Sequence, residues 1–453
     1  MSLSCLEDIE VFGIEIKPAS SRYAEVVRPY NEAARPAQPQ RIFAPRELAH
    51  IQAIIQFARS EGLKLSVHST GHDFEGRSLD GDIIMHMGAF NTVSYDPASE
   101  TVTVGGGARI EDIYRVLAPH GRAITTGTNL DVGITGLALG GGAAYTSRLY
   151  GLTCDLLLEV TLCGFNGEVI QVNDDSAPQL MRLLRGAGAG VFGVVTQLKF
   201  KTYAAAPVTI FRATWPASLG GQHLAQLESI LLAAPRELSM RVGTNVTGAD
   251  PVGVITLSGQ LQGAREAEIE RAFGPLCHGS NWTQSTIGYY DAMVSARHQT
   301  SGGAFKIKSR FAMQAIGASG LHELLDHVMS WTPTSNEDGA GFGLFAWGGA
   351  VRDFPSERSF MPARNAEYLA SFDTSWTARE SETEIIEQLK WLDEMDRIGA
   401  RYLSNIAYLN FPDSDDGRFF ERHFPAEYEQ YETLRSQFDP DGLVRQISRC
   451  INI

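Results

Sequence analysis

Residues 127–142, Gly127-Thr-Asn-Leu-Asp-Val-Gly-Ile-Thr-Gly-Leu-Ala-Leu-Gly-Gly-Gly142, hold six glycines in sixteen positions. A second loop, Val67-His-Ser-Thr-Gly-His-Asp-Phe-Glu-Gly-Arg-Ser78, runs out of the strand-like Leu65-Ser-Val67. Without a Cβ in the way, backbone N–H groups at glycines can converge on an anion. One such loop reads as a turn. Two in the same stretch of chain, one with a histidine embedded, read as a cradle for a single diphosphate.

Around these loops the chain alternates. Pro29, Pro36, Pro39 and Pro45 favour extended structure. Leu48, Ile51, Ile54, Ile55 and Ala58 then recur at helical spacing, and Gly62 ends the helix. Asp82–Met87 and Thr101–Val104 read as strands, Ala108–Leu117 as a helix, Gln179–Leu184 as a helix, and Val194–Phe200 as a strand. Residues 38–205 therefore predict an α+β domain, with 1–37 packing on it. After Tyr203-Ala-Ala-Ala-Pro207 the composition shifts. Residues 206–398 read as a second α+β domain. Val208–Phe211 and Val252–Leu257 are its strand-like runs, Gly220–Ala233 and Glu384–Met395 its helices, and Gly339–Gly343 its one glycine loop. Residues 399–453 hold a strand at Ile406–Phe411, a helix near Glu427–Gln437 and a tail.

Composition narrows the function. Of 453 residues, 38 are Lys or Arg and 53 are Asp or Glu, a net charge of −15. Such a chain repels phosphate backbones and anionic lipid, so neither nucleic acid nor a membrane surface is an expected partner. Cys5, Cys154, Cys163, Cys277 and Cys450 are odd in number and lack C-x-x-C spacing, which argues against structural zinc and a disulfide framework. The start, Met1-Ser-Leu-Ser-Cys-Leu-Glu, has no signal-peptide character, and no apolar run is long enough for a membrane span. A cytoplasmic protein is expected, and the sequons at Asn245 and Asn281 read as chance matches.

Two familiar motifs fail on context. Gly188-Ala-Gly-Val-Phe-Gly193 satisfies G-x-G-x-x-G, but a helix precedes it and a strand follows, the reverse of a dinucleotide fingerprint. In His322-Glu-Leu-Leu-Asp-His327 the second histidine is one residue too far on for a zinc helix, so it reads as a solvated face.

The two loops, the Leu180–Thr196 segment, Ala407-Tyr-Leu-Asn-Phe-Pro-Asp413 and Phe438-Asp-Pro-Asp-Gly-Leu-Val444 together resemble the berberine bridge enzyme-like flavoprotein oxidases of the vanillyl-alcohol oxidase superfamily. Gly348–Val351 and Arg364 also fit. The resemblance implies a PCMH-type two-lobed FAD-binding domain. An α+β substrate domain with a central antiparallel sheet would lie over the flavin ring, and the C-terminal segment would return to the first domain. It places covalent attachment of FAD, through the flavin 8α carbon, at His72. It assigns cofactor contacts to His68, Ser69, Thr70, Gly71, Gly76 and Ser78 in the first loop. In the second it assigns them to Asn129, Val132, Gly133, Gly136, Leu137, Gly140, Gly141 and Gly142, and further on to Gly151, Val195 and Asn410.

Several positions depart from the family pattern. Asn129 stands where many relatives carry a second, cysteine link, so a single histidine tether is expected, as in the hydroxynicotine oxidase branch. His68 and Thr70 replace an Arg and a Gly, Val191 replaces a frequent Asn, and Phe411 replaces a frequent Tyr. A small residue at Val132 is associated in the family with oxygen access. Tyr408 is a candidate base or proton relay if a neighbour lowers its pKa from ~10, and Asn410 a hydrogen-bond partner of the ring. Tyr289, Tyr290, His298, Lys308 and Arg364 are candidates for the substrate side.

The expected activity is an FAD-linked oxidase. It would take hydride from a small organic substrate (an alcohol, amine, sugar or natural-product intermediate) to flavin N5, with O2 as acceptor and hydrogen peroxide as product, in a monomer or homodimer. The alternatives are a flavin-dependent dehydrogenase or oxidative cyclase, and a non-catalytic ligand-binding protein on a flavoenzyme scaffold.

Overall fold

Ile51, Ile54, Ile55 and Ala58 form one buried face of a helix over Leu48–Glu61, and Gly62 closes it at φ +66°, its N–H bonding back to Ala58 and Arg59. In the computed structural model, residues 11–277, 281–296, 303–413, 415–424 and 428–445 are described. The helix packs on a four-stranded sheet of β1 (Ile14–Glu15), β2 (Arg41–Ala44), β3 (Leu65–His68) and β4 (Ile83–His86), in the order β1-β2-β4-β3. β4 runs parallel to both β2 and β3. The first glycine loop leaves the carboxyl end of β3, the end where open α/β sheets hold ligands.

A second sheet is antiparallel: β5 (Val93–Asp96), β6 (Thr101–Gly105), β8 (Leu157–Cys163), β9 (Val169–Val172) and β10 (Val194–Lys201), in the order β5-β6-β10-β8-β9. A short pair, β7 (Arg122–Ala123) with β11 (Tyr203–Ala204), stands beside it. The second glycine loop lies between β7 and β8 and contains a short helix, Ile134–Leu139. The C-terminal residues return here: Leu443 is buried in the core around the Leu48–Glu61 helix, and its carbonyl accepts the Leu65 N–H at 2.9 Å.

The third sheet has seven strands, all antiparallel. β12 (Val208–Pro216), β13 (Leu238–Val246), β14 (Val254–Gln262), β15 (Thr283–Ile287), β16 (Ala304–Ala312), β17 (Ala340–Ala346) and β18 (Tyr368–Trp376) take the order β15-β12-β14-β13-β17-β18-β16. Helices Gly220–Ala233, Gly317–Met329 and Glu382–Gly399 bury the face carrying Phe211, Met240, Val242, Leu257, Phe342 and Phe372. The opposite face turns toward the glycine loops.

Three expectations are corrected. Gly339–Gly343 is not a loop, because its residues from Ala340 onward open β17 between two hydrogen-bonded neighbours. Ile406–Phe411 is not a strand: it finds no partner strand and closes instead in a turn, Phe411 N–H to Tyr408 carbonyl at 2.9 Å. The strand expected from Val252 begins two residues later, after the exposed Val252 and Gly253 turn. Cys154 and Cys163 are buried free thiols, whereas Cys5, Cys450, His298 and Glu427 lie outside the described residues. Among the described residues, no helix is long and apolar enough to cross a membrane.

β16 is an edge strand, and its cations tie the third sheet to the first glycine loop and to the C-terminal segment. Lys306 Nζ lies 2.9 Å from Glu75 of the first glycine loop, 3.1 Å from Asp413 and 2.7 Å from Asp415. Lys308 Nζ reaches Asp413 at 2.7 Å and Asp393 at 2.9 Å. Lys306, Glu75 and Asp413 side chains are each under a tenth exposed. Removing one partner of a buried ion pair leaves uncompensated charge, at a cost of about 3–5 kcal/mol. Lys306→Met is therefore expected to lower the unfolding free energy by about that amount, read from the urea midpoint. A change under ~1 kcal/mol, the range of an exposed pair, would contradict this placement.

Candidate active site

Between the glycine loops and the free face of the seven-stranded sheet lies a cavity of about 1080 Å³. This is at the upper end of small-molecule sites, roughly 300–1,000 Å³. Its floor is built from three segments. The first loop contributes Ser69, Thr70, Gly71, His72 and Ser78; the second contributes Asn129, Val132, Gly133, Gly136 and Leu137; Gly188–Val191, Gly193 and Val195 supply the third. The first two are bonded directly, Gly133 N–H to Thr70 Oγ1 at 2.9 Å. Asp73 braces the first loop, accepting the Glu75 and Ser78 amides at 3.0 Å each.

Not every expected residue faces the cavity. His68 turns inward beneath the loop, where its Nδ1 meets His86 Nδ1 at 3.0 Å. Gly71 rides over that ring at φ +76°, and a Cβ there would stand 2.8 Å from His68 Nε2. Gly76, at φ +70°, starts the turn Arg77–Leu79. Gly140, Gly141 and Gly142 pack against the C-terminal segment, so a Cβ on Gly140 would fall 2.0 Å from Asn410 Oδ1. Gly151 backs onto Asp155, which is ion-paired with the buried Arg364 at 2.6 Å. Of the candidate substrate-side residues, Tyr289 is buried against Tyr114 and Tyr203, Tyr290 is half-exposed, and Lys308 and Arg364 are ion-paired. These four do not line the cavity.

His72 does line it, its ring 3.9 Å from that of Tyr30. Tyr30 belongs to an aromatic group with Phe74 and Phe305. Asn31 locks this corner: its Nδ2 donates to the Phe74 and Phe305 carbonyls, both at 2.8 Å, and its Oδ1 accepts the Phe305 N–H at 3.0 Å.

Tyr408 and Asn410 line the cavity but are engaged elsewhere. The Tyr408 hydroxyl accepts N–H groups from Gly142 at 2.9 Å and Ala143 at 3.0 Å, and Asn410 Nδ2 at 3.2 Å. Asn410 Nδ2 also donates to the Leu137 carbonyl at 3.1 Å. Despite these donors, burial pushes the Tyr408 phenol up to about 12. The condition for Tyr408 acting as a base therefore fails, and at neutral pH it is a neutral pin for the second loop. With both N–H groups of its amide engaged, Asn410 serves the same purpose.

The room fits FAD. A Cβ on Gly136 or Gly190 would meet nothing within 4 Å, so the backbone there faces open space. Ser78 belongs to the cavity wall, and its buried Oγ has no partner among the described residues. Loop amides, glycine backbone and a free hydroxyl are the donor set a flavin dinucleotide requires. The Gly188–Gly193 run joins the floor although its order is wrong for a Rossmann turn; its glycine density was the signal that motif logic discarded. The roof carries residues that no motif marks. Arg212, Thr256, Ser258, Gln260, Arg241, Phe345, Ser371 and Asp373 come from five strands, each at an alternate position facing down.

The site has the room and the donor groups of an FAD-binding pocket. The sequence pattern of the FAD binding domain matches residues 39–173. The chain is 29% identical over 340 residues to xylooligosaccharide oxidase of Thermothelomyces thermophilus, covering 70% of this chain and 66% of that one. It is 35% identical over 227 residues to (R)-6-hydroxynicotine oxidase of Paenarthrobacter nicotinovorans, covering 48% of each. The matched part thus spans just under two thirds of the first relative and about half of the second. In fold, the chain superimposes on Physcomitrella patens BBE-like 1 with a TM-score of 0.88 at 22% identity, covering 99% of both chains. The relatives are thus FAD-linked oxidases and berberine bridge enzyme-like proteins, and the fold is that of the berberine bridge enzyme-like structures.

The His68–His86 pair makes the first loop sensitive to acid. Burial is the main cause in both, lowering His68 to about 3 and His86 to about 4. Unfolded histidine titrates near ~6.5, so below that pH the unfolded chain binds protons that the folded pair refuses. Stability from this pair is full above pH ~6.5 and declines as pH falls toward the folded values. The melting temperature is expected to drop between pH 7 and pH 5, and less steeply in His86→Phe. Equal slopes would remove the pair from this role.

Proposed function

We propose that this chain is an oxidase that carries FAD on a single covalent bond from His72. The observation that carries the reading is the placement of His72 at the cavity wall, beside two bonded glycine loops and below an antiparallel roof. When bound, FAD supplies a two-electron acceptor whose N5 takes hydride from an alcohol, amine, sugar or natural-product intermediate and which O2 reoxidises with release of hydrogen peroxide. The loop amides from Ser69 to Gly71 would hold the anionic part, on a loop that Gly133 N–H fixes through Thr70 Oγ1. Leu137, Val195 and Val132 supply apolar walls. Tyr408 and Asn410 keep the second loop in register from below. Asn129 offers an amide where a second tether would need a thiolate, so His72 alone holds the ring. The roof orients the substrate and excludes water from the reacting carbon.

Two experiments follow from this reading. After acid precipitation, yellow colour is expected to stay with the wild-type pellet and to move to the supernatant in His72→Ala. Release of flavin by the wild type would defeat the tether. In stopped-flow reoxidation, the reduced wild type is expected to react rapidly with oxygen, and Val132→Leu to slow that step at least tenfold by filling the space beside the ring. A slow wild type, indifferent to Val132, would instead make the protein a dehydrogenase.

A further inference from the structure

His72 stands in a partition between two hollows. Tyr30, Thr70, Gly71 and His72 line the large cavity, and they also line a second hollow of about 510 Å³ on the outer side of the first loop. Glu25, Arg28, Arg109 and Asp131 give that outer hollow a charged wall. His72 thus borders both the cofactor space and a polar space beyond it.

Its ring is not left to swing. It lies against Tyr30, centre to centre 3.9 Å, with the planes 32° apart. Tyr30 in turn stacks on Phe74 at 6.0 Å and 21°, and Phe74 on Phe411 at 6.2 Å and 11°. Four rings form one column from the first loop to the C-terminal segment. Phe305 closes the column from the side, edge-on to Phe74 at 5.0 Å and to Tyr30 at 6.3 Å.

Asn31, only 3% exposed, fixes the column. A side-chain amide has two N–H groups to donate and two lone pairs to accept with. All four are used. Nδ2 donates to the carbonyls of Phe74 and Phe305, and Oδ1 accepts the N–H groups of Phe305 and Ala33 at 3.0 and 3.1 Å. Tyr30 directly precedes Asn31, and Phe74 follows His72 by two residues. One side chain therefore holds both members of the His72–Tyr30 stack and ties them to β16. An apolar side chain could fill this corner, but directed bonds also set distance and angle.

We propose that Tyr30 is the positioning residue for covalent attachment of FAD, its ring serving as a platform that holds the His72 imidazole toward the flavin 8α carbon. The platform rests on the reading that His72 carries the tether. In the attachment step one C–H bond of the 8α methyl group and the imidazole N–H bond are broken and a C–N bond forms. The two electrons pass into the flavin, which keeps one proton, while the other leaves to water in the outer hollow. FAD is its own oxidant here, and O2 restores it by taking two electrons and two protons as hydrogen peroxide. A freely turning imidazole presents its lone pair in the productive direction for a small part of the time, whereas a stacked one presents it throughout. Tyr30 acts through the face of its ring, so the ring matters and the hydroxyl does not.

The test uses the full-length chain produced in flavin-starved cells, mixed with FAD in air and quenched in acid at intervals. Acid-stable yellow colour measures the bond, and quenching of FAD fluorescence measures binding before the bond forms. Tyr30→Phe, which keeps the ring, should attach FAD within about threefold of the wild-type rate. Tyr30→Leu and Tyr30→Met, which keep bulk but lose the ring, should attach it at least about tenfold more slowly at saturating FAD, yet bind it within about threefold of wild type. Two aliphatic variants guard against loss of fold in one of them. A merely structural role would weaken binding and attachment together. The platform is overturned if the aliphatic variants attach FAD at the wild-type rate, if Tyr30→Phe is as slow as they are, or if binding falls in step with attachment. A wild type that binds FAD but never holds it through acid overturns the tether and the platform with it. Wild-type attachment with indifferent variants overturns the platform alone.

Discussion

A buried phenol oxygen holds the cavity together. Two backbone N–H groups of the second glycine loop and the Asn410 amide all converge on Tyr408, from a segment more than 260 residues later in the chain. Each amide left unpaired in the interior would cost about 1–3 kcal/mol. The Gly140–Ala143 turn is therefore stable only when the C-terminal segment is in place. The first loop depends on the second through Thr70 and Gly133, and the roof is tied to the first loop and the C-terminal segment through the Lys306 cluster. Floor and roof are distant in sequence, yet each is completed by the other.

This dependence bears on chemistry. A phenol that pins a loop must stay neutral and still, and burial keeps Tyr408 so. The same economy marks the first loop. His68 gives its ring to His86 and to the underside of Gly71, so the loop turns amides and hydroxyls rather than this imidazole toward the cavity.

Much of the floor was legible in sequence. Glycine clustering marked both loops, helical spacing marked Leu48–Glu61, and β-branched runs marked β6 and β10, because each signal is local. The failures share a physical cause. Ile406–Phe411 has strand composition, but what it packs against is the second loop, so tertiary contact overrides propensity. Gly341 and Gly343 look like loop residues, but they are strand residues over which a side chain lies. The roof was invisible because Arg241, Ser258, Gln260 and Asp373 sit on separate strands and meet only through register. Gly188–Gly193 was set aside for its order, although its lack of side chains was the property that mattered.

β16 closes the sheet on one side, and every second residue over Lys306–Arg310 is a cation engaged by acids from other parts of the chain. An open edge with free N–H and C=O groups is a template onto which a foreign strand can add. Here the outward N–H and C=O groups of Phe305 and Phe311 are already taken by Asn31, Ser404 and Ile406, which such a strand would have to displace. The segments around Asn31 and Ile406 that border the cavity thus also guard this margin against edge-to-edge self-association.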